Sequence, residues 1–347
     1  MQLTNRVLNR TLWLRQHLVT PVEMPVRDMV EHLIGLQAQE NLPPYLSLAA
    51  RLKDFSPESL STEIADRGLV RFLTMRGTVH VLTPTDALTL RPWVQPALDR
   101  SGRSNPQSRP AAHVPTIELF AAARSALADG PIPVTELGVR LGTAFPDVPE
   151  AALRHVARER LPLLQVPPRG LWKQSGGVVY ELADNWLDER LSTPHLPTLI
   201  RRYLRAFGPA SPADMTKWSV VTGLGPAFKA MDDLVIHEGP DGKVLYDVPE
   251  GPLADPDLAL PVRMLGNYDN LWLSHANRER IASDDNRRQW MAANGAVGSA
   301  LFVDGLLEGY WRLDNGEIRV QPFRKLSRAE QAAVAVETER ILAFLAR

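Results

Sequence analysis

The residues best suited to do chemistry in this sequence are two glutamines, Gln37 and Gln39, at the end of an amphipathic segment. The apolar residues that recur with helical spacing after Pro25 are Val26, Met29, Val30, Leu33 and Ile34. Gln37 takes the next place on that apolar face, so an amide stands where another Leu or Val is expected. The spacing predicts a helix over 25–39.

The relative direction of the two amides depends on the backbone between them. In a continuous helix Gln37 and Gln39 would point roughly 200° apart. In an extended or broken turn they would point the same way, and Pro43-Pro44 predicts a break within a few residues. Two interpretations stay open: the amides satisfy nearby backbone groups, or they converge on one site.

Four short motifs in a fixed order resemble the winged-helix DNA glycosylases. The motifs are Gly35-Leu36-Gln37-Ala38-Gln39, Met75-Arg76-Gly77-Thr78-Val79-His80, Arg201-Arg202-Tyr203-Leu204 with Phe207-Gly208-Pro209-Ala210, and Tyr268-Asp269-Asn270-Leu271 with Leu273-Ser274-His275. In that family a Gln-x-Gln pair carries catalysis, which implies this role for Gln37 and Gln39. A YcaQ-like branch has Asp at the second position, so Gln39 favours the AlkZ-like branch.

The resemblance implies a glycosylase that excises bulky N7-alkylpurines or unhooks interstrand DNA crosslinks, in DNA repair and self-resistance to a genotoxic natural product. An N7-alkylated guanine is cationic and already a good leaving group. A glutamine is no general base, but it can orient a water and face developing positive charge. No lysine lies in or beside the Gln-x-Gln motif, which favours a monofunctional enzyme over a Schiff-base mechanism.

The composition restricts the other classes of chemistry. The chain has 347 residues and no cysteine, and its eight histidines lack zinc-ligand spacing. We therefore expect neither a metal nor a cofactor. No apolar run approaches the roughly 20 residues of a membrane span, so we expect a cytoplasmic protein that contacts no membrane. The net charge of -1 is unusual for a DNA-binding protein, although the cations are mostly arginine.

The order of elements predicts a mainly α fold with small β-hairpins, an α+β class. Helices followed by a hairpin recur and predict tandem winged helices in a curved array. The units are 1–98 with the Gln-x-Gln motif, a linker at 99–115, a second winged helix at 116–192, a third at 193–257, and a β-containing C-terminal region at 258–347. We expect a monomer.

The predicted partner is double-stranded DNA carrying alkylated or crosslinked purines. The candidate DNA contacts are Arg76, His80, Arg154, Arg158, His275, Arg278 and Arg312. Arg154 and Arg158 lie on a predicted helix in the place of a recognition helix, although a solvated face explains them equally well. A hairpin at 299–312 is a candidate minor-groove probe, and its alternative is a core hairpin with Tyr310 and Trp311 directed inward.

Two other functions compete with the glycosylase. A non-catalytic winged-helix transcriptional regulator would use the same units to bind DNA. A pure scaffold is favoured by the near-zero net charge. Release of a base from alkylated duplex separates the first function from both others, and salt-dependent duplex binding separates the regulator from the scaffold.

Overall fold

The structure, a computed structural model, describes residues 2–240, 242–291 and 298–347. The helices are α1 (Asn5–Arg15), α2 (Val26–His32), α3 (Leu42–Ala49), α4 (Pro57–Ala65), α5 (Pro84–Arg103), α6 (Thr116–Ala126), α7 (Val134–Ala144), α8 (Glu150–Arg160), α9 (Ala183–Leu187), α10 (Leu196–Phe207), α11 (Pro212–Ser219), α12 (Gly225–Lys229), α13 (Asn270–Leu273), α14 (Asp284–Trp290) and α15 (Arg328–Leu345). The strands are β1 (Leu36–Gln37), β2 (Val70–Leu73), β3 (Val79–Leu82), β4 (Ile132–Pro133), β5 (Leu163–Val166), β6 (Val179–Leu182), β7 (Val235–Glu238), β8 (Val244–Asp247), β9 (Arg263–Leu265), β10 (Ser299–Val303), β11 (Leu306–Asp314) and β12 (Glu317–Pro322). The predicted α+β class with small antiparallel sheets is confirmed.

Helix starts follow local sequence signals. Ser56 caps α4 and Ser211 caps α11, and each is followed by a proline in the first helical turn. Ser327 with Glu330 three residues later predicts a capping box from the sequence, and this capping box begins α15. These signals need only a few neighbouring residues, so the sequence predicts them well.

A six-stranded sheet in the order β1-β3-β2-β5-β6-β4 joins the first two predicted units. In the pairing of β2 with β5, Arg71 lies opposite Gln165 and Phe72 lies opposite Leu164. The two hairpins predicted as separate wings therefore form one sheet. Its edge strand β1 carries Gln37.

The predicted linker at 99–115 differs from the structure. Helix α5 continues to Arg103, and Ala111 and Val114 are buried in the core that packs α6, α7 and α8. The prediction is wrong here because Ser and Gly residues after Asp99 resemble a linker, while the apolar residues further on pack against α8. The unit boundaries themselves stay predictions.

The C-terminal region forms a four-stranded sheet in the order β12-β11-β10-β9, closed by α15. The dipeptides Asp304-Gly305 and Asn315-Gly316 are strong turn signals in the sequence and predict two hairpins. In the structure these turns join the strands of the sheet. The sequence also predicts helical residues around 276–292. The helix there, α14, is shorter, because it begins only after its N-cap Ser283 and ends at Trp290. Residue 292 lies outside the described residues.

One large apolar core connects the N-terminal helices with this C-terminal sheet. Trp13 of α1 packs edge-on against Phe302 of β10, with ring centroids 5.9 Å apart. The same core includes Tyr203 of α10 and Trp218 of α11. The segment that carries the glutamines is thus fixed from several parts of the chain.

Candidate active site

The predicted helix over 25–39 ends early, at α2, before it reaches the glutamines. Ile34 and Gly35 have left-handed φ values of +52° and +96°. The N–H of Ile34 donates to the Glu31 carbonyl at 3.1 Å, and the N–H of Gly35 donates to the Val30 carbonyl at 2.9 Å. These bonds form a Schellman motif, which terminates a helix. The chain therefore leaves the helical path two residues before the first glutamine.

Gln37 lies on an edge strand instead of a helix. It stands opposite His80 in the pairing of β1 with β3. Strand β1 ends at Gln37, and Gln39 lies in a bend two residues later. The oxygens of the two amides lie near Arg76 and Arg158, and both arginines line one cavity. The buried Arg71 donates to the intervening Ala38 carbonyl at 2.8 Å and fixes the backbone between them. Of the two geometries left open by the sequence, the continuous helix is wrong, because α2 ends at His32, before the first glutamine.

The side chain of Gln37 is held by an arginine. Gln37 is 7% exposed, and its Oε1 accepts from Arg76 Nη2 at 3.1 Å. The same Nη2 donates to His80 Nε2 at 2.8 Å, and Arg76 Nη1 donates to the Trp218 carbonyl. Burial lowers the pKa of Arg76 to about 9, so the guanidinium is a cation at neutral pH. Both Nη atoms of Arg76 thus bind acceptors inside the protein, and its contact with DNA stays a prediction.

His80 is a buried, neutral acceptor. A guanidinium only donates, so Nε2 of His80 must accept and Nδ1 must carry the proton. Nδ1 lies 3.0 Å from the Thr78 carbonyl, to which it donates. Burial lowers the pKa of His80 well below its ordinary value, and the Arg76 cation acts in the same direction. Direct DNA contact by His80 is wrong, because only 1% of the residue is exposed.

Gln39 is held more loosely than Gln37. It is exposed, and its Oε1 lies 3.5 Å from both Arg158 Nη2 and the Val79 backbone nitrogen. Both distances are at the outer limit for hydrogen bonds, so these contacts are weak. The two glutamines therefore differ: one amide is fixed from inside the protein, and the other is free to turn.

A polar cavity of about 210 Å³ lies beside the pair. Arg76 and Arg158 both line the cavity, and each contacts one of the glutamines. Its lining includes one carboxylate, Glu159, whose two oxygens accept from Asn105 Nδ2 and Ser108 Oγ, each at 2.7 Å. No lysine is among the lining residues. The cavity therefore offers amides and cations, and its carboxylate is already hydrogen-bonded.

The motif around residue 269 holds the turn that precedes strand β1. The Asp269 carboxylate forms a buried ion pair with Arg51, at 2.7 Å from Nη2 and 2.8 Å from Nη1. The next residue, Asn270, donates from Nδ2 to the Gly35 carbonyl at 2.9 Å. This contact fixes the turn that directs the chain from α2 into β1. The motif acts on the site through the backbone of Gly35.

His275 is also internal, so the predicted DNA contact is wrong. It is 2% exposed, its Nε2 accepts from Arg280 Nη1 at 3.0 Å, and its Nδ1 lies 2.9 Å from Ser274 Oγ. Burial lowers the pKa of His275 to about 3, with the Arg280 cation acting in the same direction. Like His80, it is a neutral acceptor for a buried arginine.

Three predicted DNA-binding arginines carry no ion pair with a carboxylate in the described ranges: Arg158, Arg278 and Arg312. Arg278 lies over the Trp272 ring at 4.4 Å, and Arg312 lies 5.8 Å from the centroid of Tyr310. Arg278 also lies close enough to Arg76 to lower the pKa of Arg76. Their contact with DNA stays a prediction.

Arg154 differs from these arginines in its surroundings. Its Nη1 lies 3.7 Å from the carboxylate of Glu150, one helical turn earlier. Its side chain also crosses α7 at Gly138, where a Cβ atom would come within 2.8 Å of the guanidinium. Arg154 thus packs α8 against α7, and its DNA contact stays a prediction.

The hairpin over 299–312 packs into the protein. Arg10 on α1 pairs with the Asp304 carboxylate, and its Nη1 donates to the Asp304 carbonyl at 2.8 Å. Trp311 is 3% exposed. The prediction of a minor-groove probe is wrong here, because the turn of the hairpin is fixed on α1. The alternative of a core hairpin describes it, with Trp311 inward and Tyr310 partly buried.

Two supporting residues were missed by the sequence analysis. Arg71 holds the Ala38 carbonyl, and its signal was a charged residue inside an otherwise apolar strand, Val70–Leu73. Asn270 was quoted within a motif but given no role. The structure assigns both to the backbone on either side of Gln37.

Two further predictions concern metals and membranes. Within residues 2–240, 242–291 and 298–347, no three His, Asp or Glu side chains are grouped to hold a metal ion. Independence from metals stays a prediction. No helix in the described part of the chain has the length and apolarity needed to span a membrane.

Comparisons with known proteins identify the family and the fold of the chain. The family model described as "DNA glycosylase AlkZ-like" matches residues 30–344. The "Interstrand DNA cross-link repair glycosylase" of Streptomyces sahachiroi is 24% identical over 352 residues, covering 94% of this chain and 92% of the relative. The solved structure of the Streptomyces sahachiroi DNA glycosylase AlkZ has the same fold, with a TM-score of 0.79, 24% identity, and coverage of 99% of this chain and 97% of that one. Because the family model spans nearly the whole sequence, the chain belongs to the AlkZ-like DNA glycosylase family.

Proposed function

We propose that this glycosylase excises bulky N7-alkylpurines and unhooks interstrand DNA crosslinks, with Gln37 and Gln39 as its catalytic residues. The observation that carries the proposal is that the two amide oxygens lie next to Arg76 and Arg158, which line one polar cavity. The Streptomyces sahachiroi relative, an interstrand DNA cross-link repair glycosylase, supports the same substrate class.

The residues around the cavity fit a substrate that needs little acid–base help. Alkylation at N7 makes the purine cationic, so the glycosidic bond breaks without a strong general acid. Glu159 is already hydrogen-bonded to Asn105 and Ser108, so no free carboxylate is offered as a base. The amides of Gln37 and Gln39 can position a water and the nucleotide by hydrogen bonds, and a free amide oxygen can face the cationic sugar as charge develops. The site is therefore suited to a charged leaving group and unsuited to an unmodified base.

We infer a monofunctional mechanism from the same lining residues. A lyase step would require an amine that forms a Schiff base with the sugar. The residues that line the cavity include arginine and histidine but no lysine. Water is then the nucleophile, and the product is an abasic site with an intact strand.

Contact with DNA would come from arginines that carry no ion pair within the described residues. Arg158 lies at the cavity next to Gln39, and Arg278 extends over Trp272 near Arg76. Guanidinium groups bind phosphate oxygens in bidentate geometry, and such contacts position a duplex without reading its sequence. Lesion choice would therefore depend on the cavity, while the arginines hold the backbone.

The test is a base-release assay on two substrates. One duplex carries a single N7-methylguanine, and the other carries an interstrand crosslink between two N7 positions. The proposal expects released purine, abasic sites without strand breaks, and conversion of the crosslink into separable strands. Borohydride should trap no covalent complex between the enzyme and the DNA.

Duplex binding without release of base from either substrate would contradict the proposal. Salt-dependent binding alone would instead support the non-catalytic regulator. Trapping of a covalent complex by borohydride would contradict only the monofunctional step. Base release, duplex binding and borohydride trapping are all measured on the same two substrates.

A further inference from the structure

We propose that Arg76 is a positioning residue that turns Gln37 so that its amide nitrogen, not its oxygen, faces the substrate. This inference rests on the proposed function of the glutamine pair and assigns separate roles to its two members. Gln37 becomes a hydrogen-bond donor to an acceptor oxygen of the lesion nucleotide. Gln39 is left as the acceptor for the attacking water.

The first step of the argument is the identity of the atoms. The two ends of a glutamine amide differ in chemistry, since one only accepts and the other only donates. Arg76 offers donors alone, so the atom of Gln37 at 3.1 Å from its Nη2 must be the oxygen. Gln37 Nε2 makes no hydrogen bond within the described residues, and it is not enclosed by protein atoms. The nitrogen is therefore the free end of this side chain.

The second step is that Arg76 cannot easily move away. Its Nη2 also donates to His80 Nε2 at 2.8 Å, and its Nη1 donates to the carbonyl of Trp218, a buried residue on α11. The backbone of Arg76 itself is left-handed, with φ at +56°, inside the tight turn between β2 and β3. The guanidinium is thus held by His80, by the Trp218 carbonyl and by the turn that carries Arg76. Its fixed position in turn fixes the orientation of the Gln37 amide.

The third step is the contrast with Gln39. The partly buried Arg158 approaches the Gln39 oxygen only to 3.5 Å, and the Val79 nitrogen is equally distant. A phosphate that binds Arg158 would release this oxygen at little cost, because the contacts are weak. A carbonyl oxygen bound to a buried cation is a poorer acceptor than a free one. The structure therefore assigns water binding to Gln39 and substrate hydrogen-bond donation to Gln37.

The experiment places Arg76→Lys in three backgrounds: the wild type, Gln37→Ala and Gln39→Ala. Single-turnover release of N7-methylguanine is measured at saturating enzyme, with duplex affinity measured in parallel. In the wild type we expect the rate to fall about 10–100-fold, the size typical of lost outer partners of a reactive group. In the Gln37→Ala background, Arg76→Lys should lower the rate less than about twofold, because the group that Arg76 positions is gone. In the Gln39→Ala background, Arg76→Lys should lower the rate by the same factor as in the wild type.

A matched control separates positioning from stability. Arg15 is another buried arginine that binds backbone carbonyls, and it pairs with Asp247 away from the glutamines. Arg15→Lys should lower the melting temperature and leave the single-turnover rate intact. Equal rate losses for Arg76→Lys in all three backgrounds would overturn the inference. So would a lowered melting temperature with a normal rate.

A second measurement does not depend on activity. In protein labelled with ¹⁵N-glutamine, Arg76→Lys should shift the side-chain NH₂ resonance of Gln37 and leave that of Gln39 in place. Each resonance is assigned by its loss in the corresponding Gln→Ala variant. An unmoved Gln37 resonance would overturn the inference even if the wild type releases base. A wild type that releases no base would overturn the proposed function, and the resonance would still decide the role of Arg76.

Discussion

At the scale of single residues, the site depends on two amides in different surroundings. Gln37 is buried and bound to Arg76, whereas Gln39 is exposed and only loosely contacted by Arg158. The sequence predicted the pair but not this asymmetry, because the arginines come from a turn and a helix distant in the chain. The asymmetry also bears on stability, since a satisfied buried amide and a solvated one contribute differently to folding.

The two alanine substitutions should therefore differ in stability. Gln37→Ala leaves Arg76 without one acceptor and should cost about 1–3 kcal/mol of unfolding free energy. Gln39→Ala removes only weak contacts at the surface and should stay within about 0.5 kcal/mol of the wild type. Urea unfolding of the two variants measures the difference. Equal losses would show that the Gln37–Arg76 contact is not formed in solution.

At the scale of elements, the conversion from helix to strand between α2 and β1 creates the site. Gly35 makes that conversion possible, since its φ of +96° suits glycine and its Asn270 contact fixes the turn. A Cβ atom at this position would lie 2.4 Å from Leu82 Cδ2 and 3.1 Å from the Val81 carbonyl oxygen. Any side chain would push β1 away from β3.

Gly35→Ala should therefore destabilise the protein by more than about 2 kcal/mol, from backbone strain and overlap together. It should also reduce the base-release rate of the folded fraction, because Gln37 moves with β1. Gly130→Ala is the matched control, with φ at +114° and nothing within 4 Å of the added Cβ. Gly130→Ala should lower the unfolding free energy only by the cost of backbone strain. Similar unfolding curves for the two variants would contradict the close packing of β1 on β3.

Sequence patterns predicted elements that depend on near neighbours and failed where distant residues decide. The turns at Asp304-Gly305 and Asn315-Gly316 and the start of α15 were found because their signals are local. The end of α2 was missed, although Gly35 was a stop signal, because the apolar spacing continued through Ile34 to Gln37. The pairing of β2 with β5 joins residues about 90 positions apart, and no local pattern encodes it.

The difference between local signals and distant contacts also explains which roles of the site residues could be predicted. Gln37 and Gln39 came from a motif within one segment, so the sequence placed them together. His80 and His275 were misassigned to DNA because sequence does not show burial, and each serves as an acceptor for a buried arginine. Arg76 lies in the right motif, but its role required the position of Trp218 on a distant helix.

At the scale of the whole molecule, the net charge of -1 does not show which arginines are neutralised by carboxylates and which are not. Arg201 pairs with Asp233, while Arg158 and Arg278 have no carboxylate partner in the part of the chain that the structure describes. Paired cations contribute little to a phosphate-binding surface, so the sum of charges is a poor guide to DNA affinity.

Arg158→Gln and Arg278→Gln should each weaken duplex binding and reduce the slope of log K against log salt by about one. Arg201→Gln is the matched control and should leave the slope unchanged, because its charge is neutralised by Asp233. Binding isotherms at several salt concentrations measure all three. An unchanged slope for both test variants would remove these arginines from the DNA interface.

Buried neutral histidines should make the molecule sensitive to mild acid. Burial lowers the pKa of His275 to about 3 and that of His80 well below 6.5. The unfolded chain binds more protons than the folded one below pH 6.5, so stability is complete above that pH and falls as the pH decreases. His275 alone should cost about 2 kcal/mol between pH 7.5 and pH 5, and His80 should add to the loss in the same direction. Urea unfolding across this range measures the loss, and a flat profile would contradict neutral burial.

The most direct test of the central claim is the single-turnover rate of Gln39→Ala on the crosslinked duplex at saturating enzyme. Gln39 is exposed, so the variant should fold and bind DNA as the wild type does. By analogy with a lost oxyanion-hole donor, the rate should fall about 10²–10³-fold. A wild-type rate in a variant of unchanged melting temperature and duplex affinity would contradict catalysis by the glutamine pair.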